Sequence, residues 1–107
     1  MTDFSAKLVQ ILNYGSLNLA LGIGYALKIF DVMDDKGCAL SLGELSKATG
    51  LDKRYLKEWL GIMVTGGIIE MTQKPDNDDT FFLPPSHGDL LCRRAGNNNL
   101  GVYTQEI

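Results

Sequence analysis

The only histidine, His87, stands beside Ser86 and shares the chain with two cysteines, Cys38 and Cys92, that belong to no close pair. Zinc sites draw on closely spaced Cys and His ligands, and this set does not supply them. A nucleophile with its paired base cannot be assembled around one histidine either. Asp76, Asp78 and Thr80 begin like a calcium loop, but Phe81 stands where that loop needs its sharp-turn glycine. Gly22-Ile23-Gly24 lacks both a preceding strand and the third glycine of a dinucleotide loop. The glycines from Gly61 to Gly67 have a phosphate-loop look by spacing alone, without the lysine. The expectation is therefore a chain with no catalytic residue, no cofactor-binding residue and no metal ligand of its own.

The elements that hold these residues are mostly helical. Phe4, Leu8, Ile11 and Leu12 recur at helical spacing and predict a helix over 3–13, stopped at Gly15. Ser16 is placed to cap a second helix over about 17–33, apolar nearly all round from Leu17 to Val32. Its Ser16, Ala20 and Gly24 fall four apart, a strip of small side chains where another helix can come close. That strip serves packing within the monomer or a helix shared with a partner subunit. Asn18, Lys28 and Asp31 interrupt the apolar run, which is shorter than the ~20 residues of a membrane span. A buried core helix is the better reading.

After a turn at Asp34–Gly37 comes the clearest local signal. Ser41 and Glu44 form an S-x-x-E capping box, with Leu40 and Leu45 as its hydrophobic staple. That helix ends at Gly50, and Asp52 starts the next, stapled by Leu51 and Leu56. Leu56, Trp59, Leu60, Met63 and Val64 follow a helical period, which makes Trp59 a core residue placed between the paired helices and the wing. Two helices joined by about three residues form a helix-turn-helix. IIEMT at 68–72, the polar turn KPDNDD and TFFL at 80–83 then predict a β-hairpin wing. Ser86 with Asp89 is placed to cap a short helix through Cys92, and a polar, Asn-rich tail follows from Arg93. The fold class is mainly α with a small β-hairpin: a winged helix-turn-helix preceded by two N-terminal helices. The expected division is a helical segment over 1–35, the winged helix over 36–92 and a tail over 93–107.

Composition narrows the function. The chain has 107 residues, a formal charge of −3 and 45% hydrophobic residues, with a pI near 4.9. One domain of this charge has no general attraction for nucleic acid or anionic lipid. Within the second helix of the pair, Lys53, Arg54 and Lys57 face Asp52 and Glu58; in the wing, Lys74 faces Asp76, Asp78 and Asp79. A wing that grips phosphate should be basic, and this one is not. The N-terminus has Asp3 and no basic leader ahead of an apolar run. With two free thiols, that fits a cytoplasmic protein.

The segment GLDKRYLKEWLGIMVTGGIIE, residues 50–70, followed by LPPSHGDLL, residues 83–91, resembles the N-terminal winged-helix domain of a family of class I S-adenosylmethionine-dependent methyltransferases. Arg54, Tyr55, Leu56, Lys57, Glu58, Trp59, Leu60 and Gly61 match that family's second-helix run, and LALGIGYALKIFDVM, residues 19–33, is similar to its long helix. The resemblance implies an accessory domain that packs on a Rossmann-like catalytic domain, supports a homodimer through the N-terminal helices and helps cover a small-molecule substrate pocket. It implies S-adenosylmethionine as cofactor of the whole enzyme. The loop that would bind it lies beyond residue 107, so that the chain is either part of a longer enzyme or a product without the catalytic half. A small winged-helix regulator binding DNA or protein is the alternative.

Overall fold

The computed structural model describes residues 2–76 and 78–105. Asn77 of the expected wing turn, Glu106 and Ile107 of the expected tail lie outside the described residues. Five α-helices, three short strands and two 3-10 turns follow in order: α1 (Asp3–Ala26), α2 (Ile29–Lys36), β1 (Leu40–Ser41), α3 (Leu42–Thr49), α4 (Lys53–Thr65), β2 (Glu70–Thr72), β3 (Thr80–Phe82), α5 (Pro85–Leu91), then turns at Arg93–Asn98 and Gly101–Gln105. The fold is mainly helical with a winged helix-turn-helix at its centre, as the periodicity requires.

Two N-terminal helices are present, but the break lies elsewhere than expected. α1 runs unbroken through Gly15 and Ser16 and is capped by Thr2, whose side chain accepts from the Ser5 amide. The chain turns at Leu27–Lys28 instead, with a bend of 67° between α1 and α2. The reason is burial. On a continuous helix, Ile29 would follow Ile11 and Phe30 would follow Leu12 by about five full turns each, on the same outward face. Ile11 and Leu12 are exposed, whereas Ile29 and Phe30 are completely buried. The turn swings the latter pair inward. Lys28 adopts the left-handed conformation to make it (φ 62°), which costs a non-glycine residue about 1–2 kcal/mol.

The two middle helices form as their caps dictate. Ser41 Oγ accepts from the Glu44 amide at 3.1 Å while the Glu44 carboxylate accepts from the Ser41 amide at 2.9 Å. These bonds, the Ser41 amide first, hold the Glu44 carboxyl below its ordinary range. Whatever stability the capping box lends is therefore present at neutral pH and lost only as the pH falls through that lowered value. Leu40, Leu45 and Leu56 of the two staples are buried. Asp52 accepts from the Arg54 amide. α5 differs from expectation: Pro84 is its N-cap, Pro85 its first residue, and Ser86 makes no capping bond. Proline suits that position because the first helical amide has no partner in any case.

The wing is a three-stranded antiparallel sheet in the order β1-β3-β2. β2 and β3 form the expected hairpin, with Met71 opposite Phe81. β1 adds Leu40 opposite Phe81 on the other edge. This strand was not anticipated, since two residues carry no periodicity. The core gathers Ile29, Phe30 and Met33 from α2, Leu45 from α3, Leu60 and Met63 from α4, and Ile69 and Leu83 from beside the strands, in one cluster with Trp59.

Trp59 is a core residue, but it faces the N-terminal helices rather than the wing. Its indole Nε1–H donates to the Ala20 carbonyl at 2.8 Å, and its ring lies 5.3 Å from that of Phe30 at a 56° tilt. Trp59→Ala is expected to destabilise the domain by about 3–5 kcal/mol. Against a total of roughly 5–15 kcal/mol, that lowers the unfolding midpoint measured by circular dichroism by many degrees. An unchanged midpoint would contradict the packing described here.

Candidate functional site

Among the described residues, the candidates for chemistry lie apart. His87 donates from Nδ1 to the Ile68 carbonyl at 2.8 Å and thereby ties α5 to the segment entering the wing. Among the described residues, no group of three or more His, Cys, Asp or Glu is placed to hold a metal ion. Gly22 and Gly24 lie inside α1. A methyl group at Gly24 would stand 2.8 Å from the Phe30 ring and closer still to the Trp59 indole. Of the small-residue strip, Ala20 and Gly24 are buried in this way, whereas Ser16 is exposed. Its use within the monomer is packing against an indole rather than against a helix. Gly66 sits against Leu17, and Gly67 supplies the positive φ of 76° that turns the chain out of α4.

Cys92 is fully buried, its Sγ directed at the Phe30 carbonyl at 3.5 Å. Burial first, then the nearby carboxylates of Asp34 and Asp31, push its thiol up to about 12. Cys38 is exposed.

Surfaces are more informative. The exposed face of α4 carries Lys53, Arg54, Lys57 and Glu58, with Tyr55 and Ile62 part of it. In the wing turn, Asp79 accepts from the Lys74 amide at 3.2 Å and Asp76 from the Asp78 amide at 3.1 Å. α1 carries many of the exposed large apolar side chains. Leu17, Ala20, Leu21 and Gly24 face the core, while Phe4, Leu8, Ile11, Leu12, Leu19 and Ile23 share the opposite face and are exposed, Phe4 by 70% and Leu19 by 71%. Between α1 and α4 lies an open groove of about 890 Å³, walled by Asn13, Tyr14 and Leu17 on one side and Glu58, Ile62 and Gly66 on the other. α1 falls short of a membrane span: no single helix among the described residues is long and apolar enough to cross a bilayer.

Sequence reasoning missed a polar cluster at the base of α1. Arg93 donates to the Tyr25 carbonyl at 2.8 Å, pairs with the Asp31 carboxylate and lies 4.0 Å from the Tyr25 ring centre. Arg94 grips Asp34 at 2.5 Å and Asp89 at 2.9 Å, and Asp34 above all keeps its guanidinium more firmly protonated. Asn99 donates to the Tyr25 hydroxyl at 3.0 Å. The signal available beforehand was Asp31 and Asp34 three apart on one helical face, complementary to two adjacent arginines.

A helix-turn-helix with a three-stranded wing and a long helical arm is a winged helix-turn-helix domain. More narrowly, the chain belongs to the Rv2258c-like winged helix-turn-helix domain family, whose model matches residues 15–93. Its fold is similar to part of human N-acetylserotonin methyltransferase, solved in complex with SAM, with a TM-score of 0.73, 13% identity and 85% of this chain covered. This chain spans 26% of that one. No curated protein sequence matches it.

The two cysteines are predicted to differ sharply in reactivity. In native protein at pH 8, Ellman's reagent should modify Cys38 within minutes and reach Cys92 only on unfolding. Prompt modification of both thiols would show that the core around Cys92 opens readily.

Proposed function

We propose that this chain is the non-catalytic N-terminal domain of an S-adenosylmethionine-dependent methyltransferase, serving dimerisation and the cover of a small-molecule substrate pocket. The observation that carries the reading is the exposed apolar face of α1. Phe4, Leu8, Ile11, Leu12, Leu19 and Ile23 form an exposed apolar stripe along one face of α1, the kind of surface that marks an interaction site. Its spacing suits a second helix of the same kind, and two copies related by a two-fold axis would cover each other's stripe. Fold likeness to a SAM-bound methyltransferase supplies the wider setting. The methyl donor belongs to the catalytic portion, for which these residues offer neither a strand-linked glycine loop nor an acidic partner for a ribose.

The acidic wing weighs against the regulator alternative. Duplex binding rests on phosphate contacts, and here three aspartates accompany Lys74 in the turn.

Sedimentation of the purified chain at ~150 mM salt, where weak long-range charge effects are screened, distinguishes the readings. The expected species is a dimer that Leu12→Glu converts to a folded monomer, with no shift on adding a random duplex. Titration calorimetry with S-adenosylmethionine should show no micromolar binding by this chain. A compact monomer that moves onto DNA at submicromolar concentration would install the regulator instead.

A further inference from the structure

The docked part of α1 packs against Trp59 of α4, Gly66 at the end of that helix, Phe30 of α2 and the C-terminal turns. Residues 17–26 contribute only Ala20 and Tyr25 to the fully buried apolar side chains, with Leu17 and Leu21 half-buried. The body formed by α2 to α5 and the sheet contains nearly all the others. The tail crosses this stretch of α1 at Gly22 and Tyr25, beside the exposed Leu19 and Ile23. Besides the Arg93 and Asn99 contacts at Tyr25, Gln105 donates to the Gly22 carbonyl at 2.9 Å. Gly101 lies so close to the Tyr25 ring that a methyl group there would stand 2.6 Å from it. The tail and the arm hold each other.

Arg94 belongs with the body through Asp34 and Asp89, and the Leu100 amide donates to the Leu90 carbonyl at 2.7 Å, but Arg93 is the side chain that joins tail, arm and α2 at once. Arg93 reaches Tyr25 on the arm with its guanidinium and Asp31 on α2 with both its guanidinium and its own amide, the latter at 2.9 Å. It therefore spans the break at Leu27–Lys28. That break has the features of a hinge: Lys28 is strained at φ 62° and exposed, and makes no side-chain cap for α2. Local opening follows the units with the least buried apolar contact, and here such a unit ends at a strained residue.

We infer that residues 17–26 and 99–105 form a single latch, fastened by Arg93, which releases from the winged-helix body at the Leu27–Lys28 hinge while the body stays folded. Release exposes Trp59 and frees the apolar arm to move, so the latch sets how α1 is presented. The inference rests on contacts within one chain and is independent of the methyltransferase reading.

Trp59 is the only tryptophan and lies against α1, so it reports the latch directly. Acrylamide quenching of its fluorescence and residue-resolved hydrogen exchange are compared in the wild-type chain, Arg93→Ala and Asp31→Asn. In Arg93→Ala, amides of 17–26 and 99–105 should exchange roughly tenfold faster or more, the factor expected for loss of a charge-assisted hydrogen bond. Quenching should rise in parallel, while α3, α4 and the sheet keep their protection. Asp31→Asn removes only the charge on the body side and should give a smaller rise in the same two segments. Should Arg93→Ala fail to fold, the pattern in Asp31→Asn decides. Faster exchange spread evenly over all elements, a rise in only one of the two segments, or no rise at all would overturn the latch.

Discussion

Trp59 sits where the N-terminal arm meets the second helix of the pair, and it fits there only because Gly24 has no side chain. Much else is arranged around that meeting. The indole N–H takes the Ala20 carbonyl, its ring tilts onto Phe30, and Phe30 comes within reach only because the chain bends at Lys28. A glycine inside a helix costs about 1 kcal/mol relative to alanine. Burial of a large aromatic with its polar atom satisfied offsets that several times over. The constraint also fixes which face of α1 is left over. Once Ala20 and Gly24 face Trp59, the stripe from Phe4 to Ile23 must point away.

What the sequence makes legible is local chemistry. The capping box of Ser41 and Glu44, the caps and staples around Asp52 and the period of the Trp59 helix act over a few residues, and each is found where its signal lies. The break in the N-terminal helix is different. Gly15 marks a plausible stop, yet nothing stands near it to require one, and a solvent-exposed glycine is tolerated in a long helix at small cost. Lys28 carries no breaking signal at all. Its turn is dictated by where Ile29 and Phe30 must go, which depends on a core assembled from distant elements. β1 and the pairing of Arg93 with Asp31 are hidden for the same reason: both are set by residues far away along the chain, Phe81 and Thr80 for β1.

As for the site, His87 and Cys92 resolve into structural roles that their types alone leave open, while Cys38 is exposed. His87 holds a backbone carbonyl, and Cys92 fills a core position. The small-residue strip splits, with Ala20 and Gly24 used inside the molecule and Ser16 facing water. Periodicity could show that the strip was there, but only the partner across from it, an indole from α4, explains its width.

The wing shows why the same architecture need not meet nucleic acid. Its aspartates are part of the turn's own construction, accepting from the Lys74 and Asp78 amides. Short carboxylate side chains that bond nearby backbone are what favour such turns. Exchanging them for lysine or arginine would give the wing a grip on phosphate, but would also remove the acceptors that shape it. The residues that make this wing fold are thus the ones that repel a polyanion. The fold supplies the frame of a DNA reader, while its acidic wing and its exposed apolar arm are what support the proposed contact with protein. On a domain of this size, an uncovered helical stripe outweighs a few exposed lysines on α4, because apolar burial accumulates along the whole helix and exposed charges are screened within about 8–10 Å.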